Sequence, residues 1–236
     1  MTAAGWIDFE GEYGAQYDAL IRIAIPGYAL MHELAVASAR AACPQAQELL
    51  IVGPAWGEEL PLWSQAFPEA HFTLVEPSAA MARRCQRRLE ALGLGERSRL
   101  LPCRLEQSQL STHSFDVVVA QLVLHLLQPE AQGAMVQQMA GLLRPGGLLL
   151  FSGSGGSGEQ PRDALLLAIW REHLRSRGID EALIDRLAAA RGHEVFAIDH
   201  QALAPQLLAA GCSTPWRVFQ GAHVSLWCSL ATAVEP

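Results

Sequence analysis

From Leu49 onward the chain alternates short apolar runs with longer segments whose apolar residues recur every three or four positions. Leu49–Val52, Phe72–Val75, Arg99–Pro102, Phe115–Ala120 and Leu148–Ser152 read as strands, the last introduced by Arg144-Pro-Gly-Gly147. The Val117–Val119 run has no polar alternation, which predicts a strand covered on both faces. Between the strands, Glu58–Phe67 and Pro77–Leu92 carry helical periodicity, and Arg83, Arg84, Arg87 and Arg88 fall on the outer side of the second. Strand followed by helix, repeated, predicts a parallel sheet with helices on both faces and right-handed crossovers.

Ahead of the first strand, Tyr13–Ala42 reads as amphipathic helix broken at Pro26-Gly27, placed as a cap or lid. After the fifth strand, Ser152–Gly158 reads as a flexible connector. Helical patterns over 163–177, 180–191 and 200–210 follow, and Trp216–Gln220 and His223–Leu230 read as two strands facing each other across a tight turn at Gly221. The expectation is an α/β, doubly wound, mostly parallel seven-stranded sheet with an antiparallel last strand and an N-terminal helical lid.

The length of 236 residues, half of them hydrophobic, suits one domain with a full core. A net charge of −7 and a pI near 5.6 disfavour a broad nucleic-acid surface. All 17 basic residues are arginine, and neither lysine nor asparagine occurs, which excludes a P-loop lysine, a Schiff-base lysine and N-glycosylation. A GC-rich coding sequence accounts for that bias more simply than function does. Five cysteines without paired spacing indicate neither a disulfide framework nor a zinc site, so no metal is expected and a reducing cytoplasm fits. No apolar run has membrane-spanning length and no signal-peptide pattern opens the chain.

Candidate chemistry centres on the turn Gly53-Pro-Ala-Trp-Gly57, which follows one buried strand, with Glu76 ending the next strand about twenty residues on. Such a turn and such an acid build a nucleoside site, the carboxylate facing ribose hydroxyls. A dinucleotide fingerprint needs glycines at its first, third and sixth positions, whereas this turn has Gly53, Ala55 and Glu58. Glu58 and Glu59 at the start of the next helix would repel a pyrophosphate but tolerate a sulfonium, which ranks an adenosyl sulfonium above a nicotinamide dinucleotide.

The segments Leu50-Ile-Val-Gly-Pro-Ala-Trp-Gly57, Leu74-Val-Glu-Pro-Ser-Ala-Ala-Met81, Ser114-Phe-Asp-Val-Val-Val-Ala-Gln121 and Leu143-Arg-Pro-Gly-Gly-Leu-Leu-Leu150 resemble, in order and spacing, the motif series of class I S-adenosylmethionine-dependent methyltransferases. Tyr17–Tyr28, Leu122–Leu127 and Ile169–His173 resemble the branch that includes carboxy-S-adenosylmethionine synthase and its small-molecule methyltransferase relatives. The resemblance implies a Rossmann-like domain with a helical cap over 1–45, a cofactor-binding core over 46–156, and a helical insertion with the closing strand pair over 157–236. It implies S-adenosyl-L-methionine as cofactor and a small-molecule methyl acceptor, with no membrane and no nucleic-acid partner, and leaves a homodimer open.

Carried over residue by residue, the resemblance puts Gly53, Pro54, Ala55 and Gly57 in the turn under the methionine part. It gives the ribose hydroxyls to Glu76, followed by Pro77, and sets Met81 near the adenine. Leu105 and Glu106 stand where an acid meets the adenine amino group, Gln121 and Leu122 lie beside the sulfonium, and Tyr28 reaches the methionine carboxylate from the lid. His125, just after strand four, is the candidate base, against the alternative of a histidine packed behind the site. Three departures mark the chain: Ile51 replaces an acid on the first strand, Ala55 replaces the middle glycine, and Cys103-Arg-Leu-Glu106 lacks an acid after a glycine. They keep a non-catalytic binding relative open as an alternative. Carboxy-S-adenosylmethionine synthesis is a weaker one, because the arginine holding the added carboxylate in those enzymes aligns with Gln206.

Overall fold

The computed structural model describes residues 6–156 and 161–232. Helices α1 (Glu12–Ala24) and α2 (Tyr28–Ala42) meet at 85°. The break falls at Pro26-Gly27 as the sequence predicts, because proline cannot continue a helix and Gly27 takes a left-handed φ of 76° at the start of α2. No single described helix is long and apolar enough to cross a membrane.

Strands β1 (Glu48–Val52), β2 (His71–Val75), β3 (Ser98–Leu101), β4 (Phe115–Ala120), β5 (Leu143–Ser154), β6 (Trp216–Gly221) and β7 (Val224–Leu230) form one sheet in the order β3-β2-β1-β4-β5-β7-β6. The first five are parallel, and β7 runs antiparallel between β5 and β6. Alternate residues of the central strands feed two cores. Leu49, Ile51, Val117 and Val119 pack with Met31 and Ala35 of α2 and with Trp63 of α3 (Leu60–Ala66). Leu50, Val52, Val118 and Ala120 pack with Val136 and Met139 of α5 (Pro129–Gly141) and with Leu207 of α8 (Ala204–Ala209). None of these eight strand residues is more than 4% exposed, so both faces are covered, which explains the uninterrupted valine run. Helix α4 (Ala79–Ala91) joins β2 to β3, and α6 (Pro161–Ser176) and α7 (Glu181–Ala189) precede α8. Asp116 fastens the amino ends of three central strands: it accepts from Gln47 N–H at 2.8 Å, from Glu48 N–H at 2.9 Å and from Arg144 at 2.9 Å. The strand order reverses between β1 and β4, which opens a crevice at their carboxyl ends.

Four boundaries differ from the sequence reading. The fifth strand is longer, beginning at Leu143 and taking in Arg144–Gly147 through a register shift against β4. It also continues where a flexible connector was expected: Ser152, Gly153 and Ser154 pair with Leu226, Ser225 and Val224, because β7 supplies ladder partners that outweigh the coil preference of glycine and serine. Ser157 and Gly158, the end of that connector, lie outside the described residues. Glu58 and Glu59 precede α3 rather than forming its first turn, and the helix read over 200–210 is confined to α8.

Gly221 ends β6, and the turn itself is Ala222-His223. The glycine is needed for space, since a Cβ there would lie 2.2 Å from the Pro26 carbonyl oxygen between the two N-terminal helices. Gly221→Ala is expected to destabilise the fold by about 3 kcal/mol, the upper part of the usual overpacking range. Urea denaturation of the variant beside the parent checks it.

Candidate functional site

A cavity of about 780 Å³ occupies the crevice, its wall formed by the carboxyl ends of β1, β2 and β4. That is the size of an ordinary small-molecule site, about 300–1,000 Å³. After β1 the backbone turns sharply: Gly53 N–H donates to Val75 O at 2.8 Å with φ at 64°, and a Cβ on Gly53 would lie 2.5 Å from Val123 Cγ2. Ala55 adopts a left-handed φ of 48° despite its methyl group. Its N–H donates to Glu76 Oε2 at 2.9 Å, while Glu76 Oε1 accepts from Ser78 N–H at 2.9 Å. The bend and the acid, well separated in sequence, therefore touch. Burial pushes the Glu76 carboxyl above its ordinary pKa, and the two backbone donors oppose that rise.

Of the residues singled out by sequence, Gly53, Ala55, Glu76, Pro77, Leu105, Glu106, Gln121 and Leu122 line this cavity. Tyr28, Pro54, Gly57, Met81 and His125 do not. Tyr28 turns its hydroxyl to Glu58, donating at 3.2 Å, and sets its ring edge-on to His32. Gly57 packs against Leu60 and Cys85, and Met81 is buried in α4 behind Glu76. His125 sits in a 3₁₀ turn, Leu124–Leu126, rather than in a helix, and lines a second, smaller cavity. Trp56 stays out of the crevice, its ring covered by the guanidinium groups of Arg84 and Arg88, each 5.5 Å from the centroid. Arg84 also binds Gly14 O and Asp18, so only Arg83 and Arg87 of the four α4 arginines are exposed as their outer placement predicts.

The acids at the turn are compensated in a way the sequence hides. Glu58 pairs with Arg22 and accepts from Tyr28, while Glu59 is buried and its carboxyl is pushed up to about 7, by burial first and then by the charge of Glu76. Repulsion of a phosphate by these two is therefore weaker than their sequence positions imply. The cavity wall itself supplies the bias instead, with Glu76, Glu106 and Glu194 against Arg104. At the end of β4, Gln121 Nε2 lies 2.8 Å from His32 Nδ1 and Gln121 Oε1 is buried with no partner. Burial pushes the His32 imidazole down to about 4, leaving it neutral.

Residues 49–147 match the family model described as a methyltransferase domain. This stretch is thus similar to methyltransferase domains. The chain is 27% identical over 177 residues to a carboxy-S-adenosyl-L-methionine synthase from Aeromonas hydrophila, covering 72% of this chain and 69% of that protein. Among solved structures, an O-methyltransferase family protein from Burkholderia thailandensis superposes over 94% of this chain with a TM-score of 0.68 and 16% identity, and the chain spans 60% of that protein's length. A magnesium protoporphyrin IX methyltransferase from Synechocystis, with S-adenosylhomocysteine bound, superposes over 98% of this chain and 90% of its own, with a TM-score of 0.63 and 16% identity. The strand order, the antiparallel β7 and the N-terminal helices make this the methyltransferase fold.

The crevice fits an adenosyl cofactor on two observations. Gln121 Oε1 is a buried acceptor awaiting a partner, and each Glu76 oxygen keeps a lone pair beyond its backbone donor. The sequence reading placed a lid at the N-terminal side but did not single out the residues that roof the site. Ile7, Phe9 and Tyr17 close it from the N-terminal side, and His193, Glu194 and Phe196 from the segment after α7. Ile7 N–H donates to Glu194 at 2.7 Å, and Glu10 accepts from Ser78 Oγ at 2.6 Å and from Ala80 N–H at 3.2 Å at the start of α4. Ser78 caps α4, its Oγ accepting from Met81 N–H at 3.1 Å, but nothing local in the sequence marks Glu10 or Glu194 as long-range fasteners. Gln206 packs on Gly133 of α5 and lines neither cavity.

Proposed function

We propose that the chain is an S-adenosylmethionine-dependent methyltransferase acting on a small-molecule acceptor. The observation that carries this reading is the Glu76 carboxylate held by the Ala55 N–H at the bend after β1, on the wall of a cavity at the sheet reversal. The methyltransferase-domain match over 49–147 supports it.

The cofactor supplies an electrophilic methyl group on a sulfonium, so the protein's task is alignment. Glu76 accepts from the ribose hydroxyls, while Pro77, Leu105, Glu106 and Leu122 bound the adenine. The Gly53–Ala55 backbone and Gln121 Oε1 face the methionine end, and Pro54, Gly57, Met81 and Tyr28 shape the bend from behind. Acidic walls favour a cationic ligand over a dinucleotide. The roof of Ile7 and Phe9 keeps water from the reacting atoms. A cavity of about 780 Å³ shared with the cofactor leaves room for a small acceptor. All five cysteines are free, which supports a reducing compartment such as the cytoplasm.

Calorimetric titration tests the reading. S-adenosylmethionine and S-adenosylhomocysteine are expected to bind saturably, and NADH not at all. Absence of heat with both sulfur ligands at millimolar concentration would defeat the assignment.

A further inference from the structure

A second cavity, of about 80 Å³, lies beside the first at the carboxyl ends of β5 and the Leu124–Leu126 turn. The two are neighbours: Ile7 belongs to both walls, and the segment after α7 presents His193, Glu194 and Phe196 to the large cavity and Val195 to the small one. Three polar groups converge on the small cavity from three parts of the chain. His125 follows β4, His223 sits in the turn between β6 and β7, and Arg191 follows α7.

None of the three is fully satisfied by the protein. Nδ1 of His125 and Nδ1 of His223 are buried without a hydrogen-bond partner, that of His125 lying against Gly153, where a Cβ would be 2.7 Å away, so each ring has its opposite edge, Nε2, to offer to a ligand. Arg191 donates to Ser154 Oγ at 2.6 Å and to Gly156 O at 3.2 Å, both neutral oxygens. Among the described residues no carboxylate lies within ion-pair distance of it, although Asp163 acts on its charge from farther away. Among the described residues no acid belongs to the walls, which besides Ser154 and these three groups are apolar and aromatic, including Trp6, Tyr13 and Trp170. Burial keeps both imidazoles neutral, with His125 pushed down to about 4 and His223 to about 3.

A half-buried guanidinium that donates to neutral oxygens keeps its charge available to an anion. One cation and two neutral imidazoles around a wall without acids form a receptor for a small anion with hydrogen-bond acceptors. Its apolar, ring-lined surroundings suit a carboxylate carried on an aromatic body. We propose that this cavity holds the carboxylate of the methyl acceptor, an aromatic carboxylic acid. Arg191 is its ionic partner, His125 and His223 are its hydrogen-bond donors, and the acceptor atom projects into the large cavity. This rests on the large cavity being the cofactor site. It makes His125 a positioning residue for the acceptor rather than the base.

Benzoate and its neutral counterpart benzamide are the probes, titrated by calorimetry with and without saturating S-adenosylhomocysteine. Benzoate is expected to bind the parent about tenfold or more tighter than benzamide, as loss of a charge-assisted pair implies. Arg191→Gln should weaken benzoate about tenfold or more and leave benzamide unchanged. Equal binding of the two probes, or benzoate binding indifferent to Arg191→Gln, overturns the proposal. Should Arg191→Gln fail to fold, His223→Phe decides, since it keeps a ring against Trp170 but removes the donor: a severalfold loss for benzoate supports the site, and no change sinks it. S-adenosylhomocysteine binding without benzoate selectivity would leave the methyltransferase reading standing and end this one. Benzoate selectivity without cofactor binding would keep the anion site but overturn its reading as the place of a methyl acceptor.

Discussion

Glu76→Ala is expected to lower affinity for S-adenosylhomocysteine by about 100-fold or more and to reduce stability as well. Charge-assisted hydrogen bonds contribute about 1.5–3 kcal/mol each, so losing the pair to ribose hydroxyls amounts to at least two decades in affinity. The same carboxylate holds the site together before any ligand arrives. Without it the N–H groups of Ala55 and Ser78 lose their acceptor, and Ala55 must keep its left-handed φ of 48° unaided. Glu76→Gln retains one acceptor oxygen and should fall between parent and alanine variant. Calorimetry with thermal unfolding separates the two effects: an alanine variant that is destabilised yet binds as tightly as the parent would show that this carboxylate serves only the bend.

Glu59→Gln is expected to stabilise the protein at pH 8 and to do little at pH 4. The folded-state pKa of Glu59 is raised from 4.5 to about 7, chiefly because burial penalises the carboxylate. A raised carboxyl binds more protons folded than unfolded between those two values. Stability therefore falls as pH climbs through that window, and the full penalty is present above about 7. At about 1.4 kcal/mol for each pH unit, the penalty reaches about 3 kcal/mol. Glutamine carries no charge and escapes it. Urea denaturation of both proteins at pH 4 and pH 8 measures the difference, and equal differences at the two pH values would place the cost elsewhere. Glu76 shifts in the same direction, so the variant should retain part of the parent's slope.

What the sequence could reveal about the site follows from how far each interaction reaches along the chain. The valine run of β4 needed cover on both faces, and it has it. The turn after β1 and Glu76 are joined by a motif whose spacing is set by one strand-helix-strand unit, so their contact was legible. Side-chain direction was not. Helical periodicity allowed Tyr28 to face the crevice, but Arg22 and Glu58 draw its hydroxyl the other way. Local preference misled at Ser152–Ser154, where a strand far along the chain supplies the partners that glycine and serine lack among their neighbours. Ala55 shows the converse: a residue that departs from the glycine pattern still adopts the glycine conformation, because Glu76 holds its N–H. His125 and His223 carry no shared pattern, and only the meeting of the turn after β4, the turn between β6 and β7 and the segment after α7 brings them to Arg191.

The position of β7 has a bearing on how the protein is made. The last of the described strands to leave the ribosome is an interior one, seated between β5 and β6. Until residues 224–230 emerge, β5 is an edge strand, paired with β4 on one side but with the peptide groups of Leu148–Phe151 that face β7 unpaired, an invitation to any neighbouring polypeptide. Translation stalled short of Val224 should thus yield sticky fragments rather than a smaller folded unit, and safe maturation depends on prompt arrival of the final segment or on a chaperone that guards the gap.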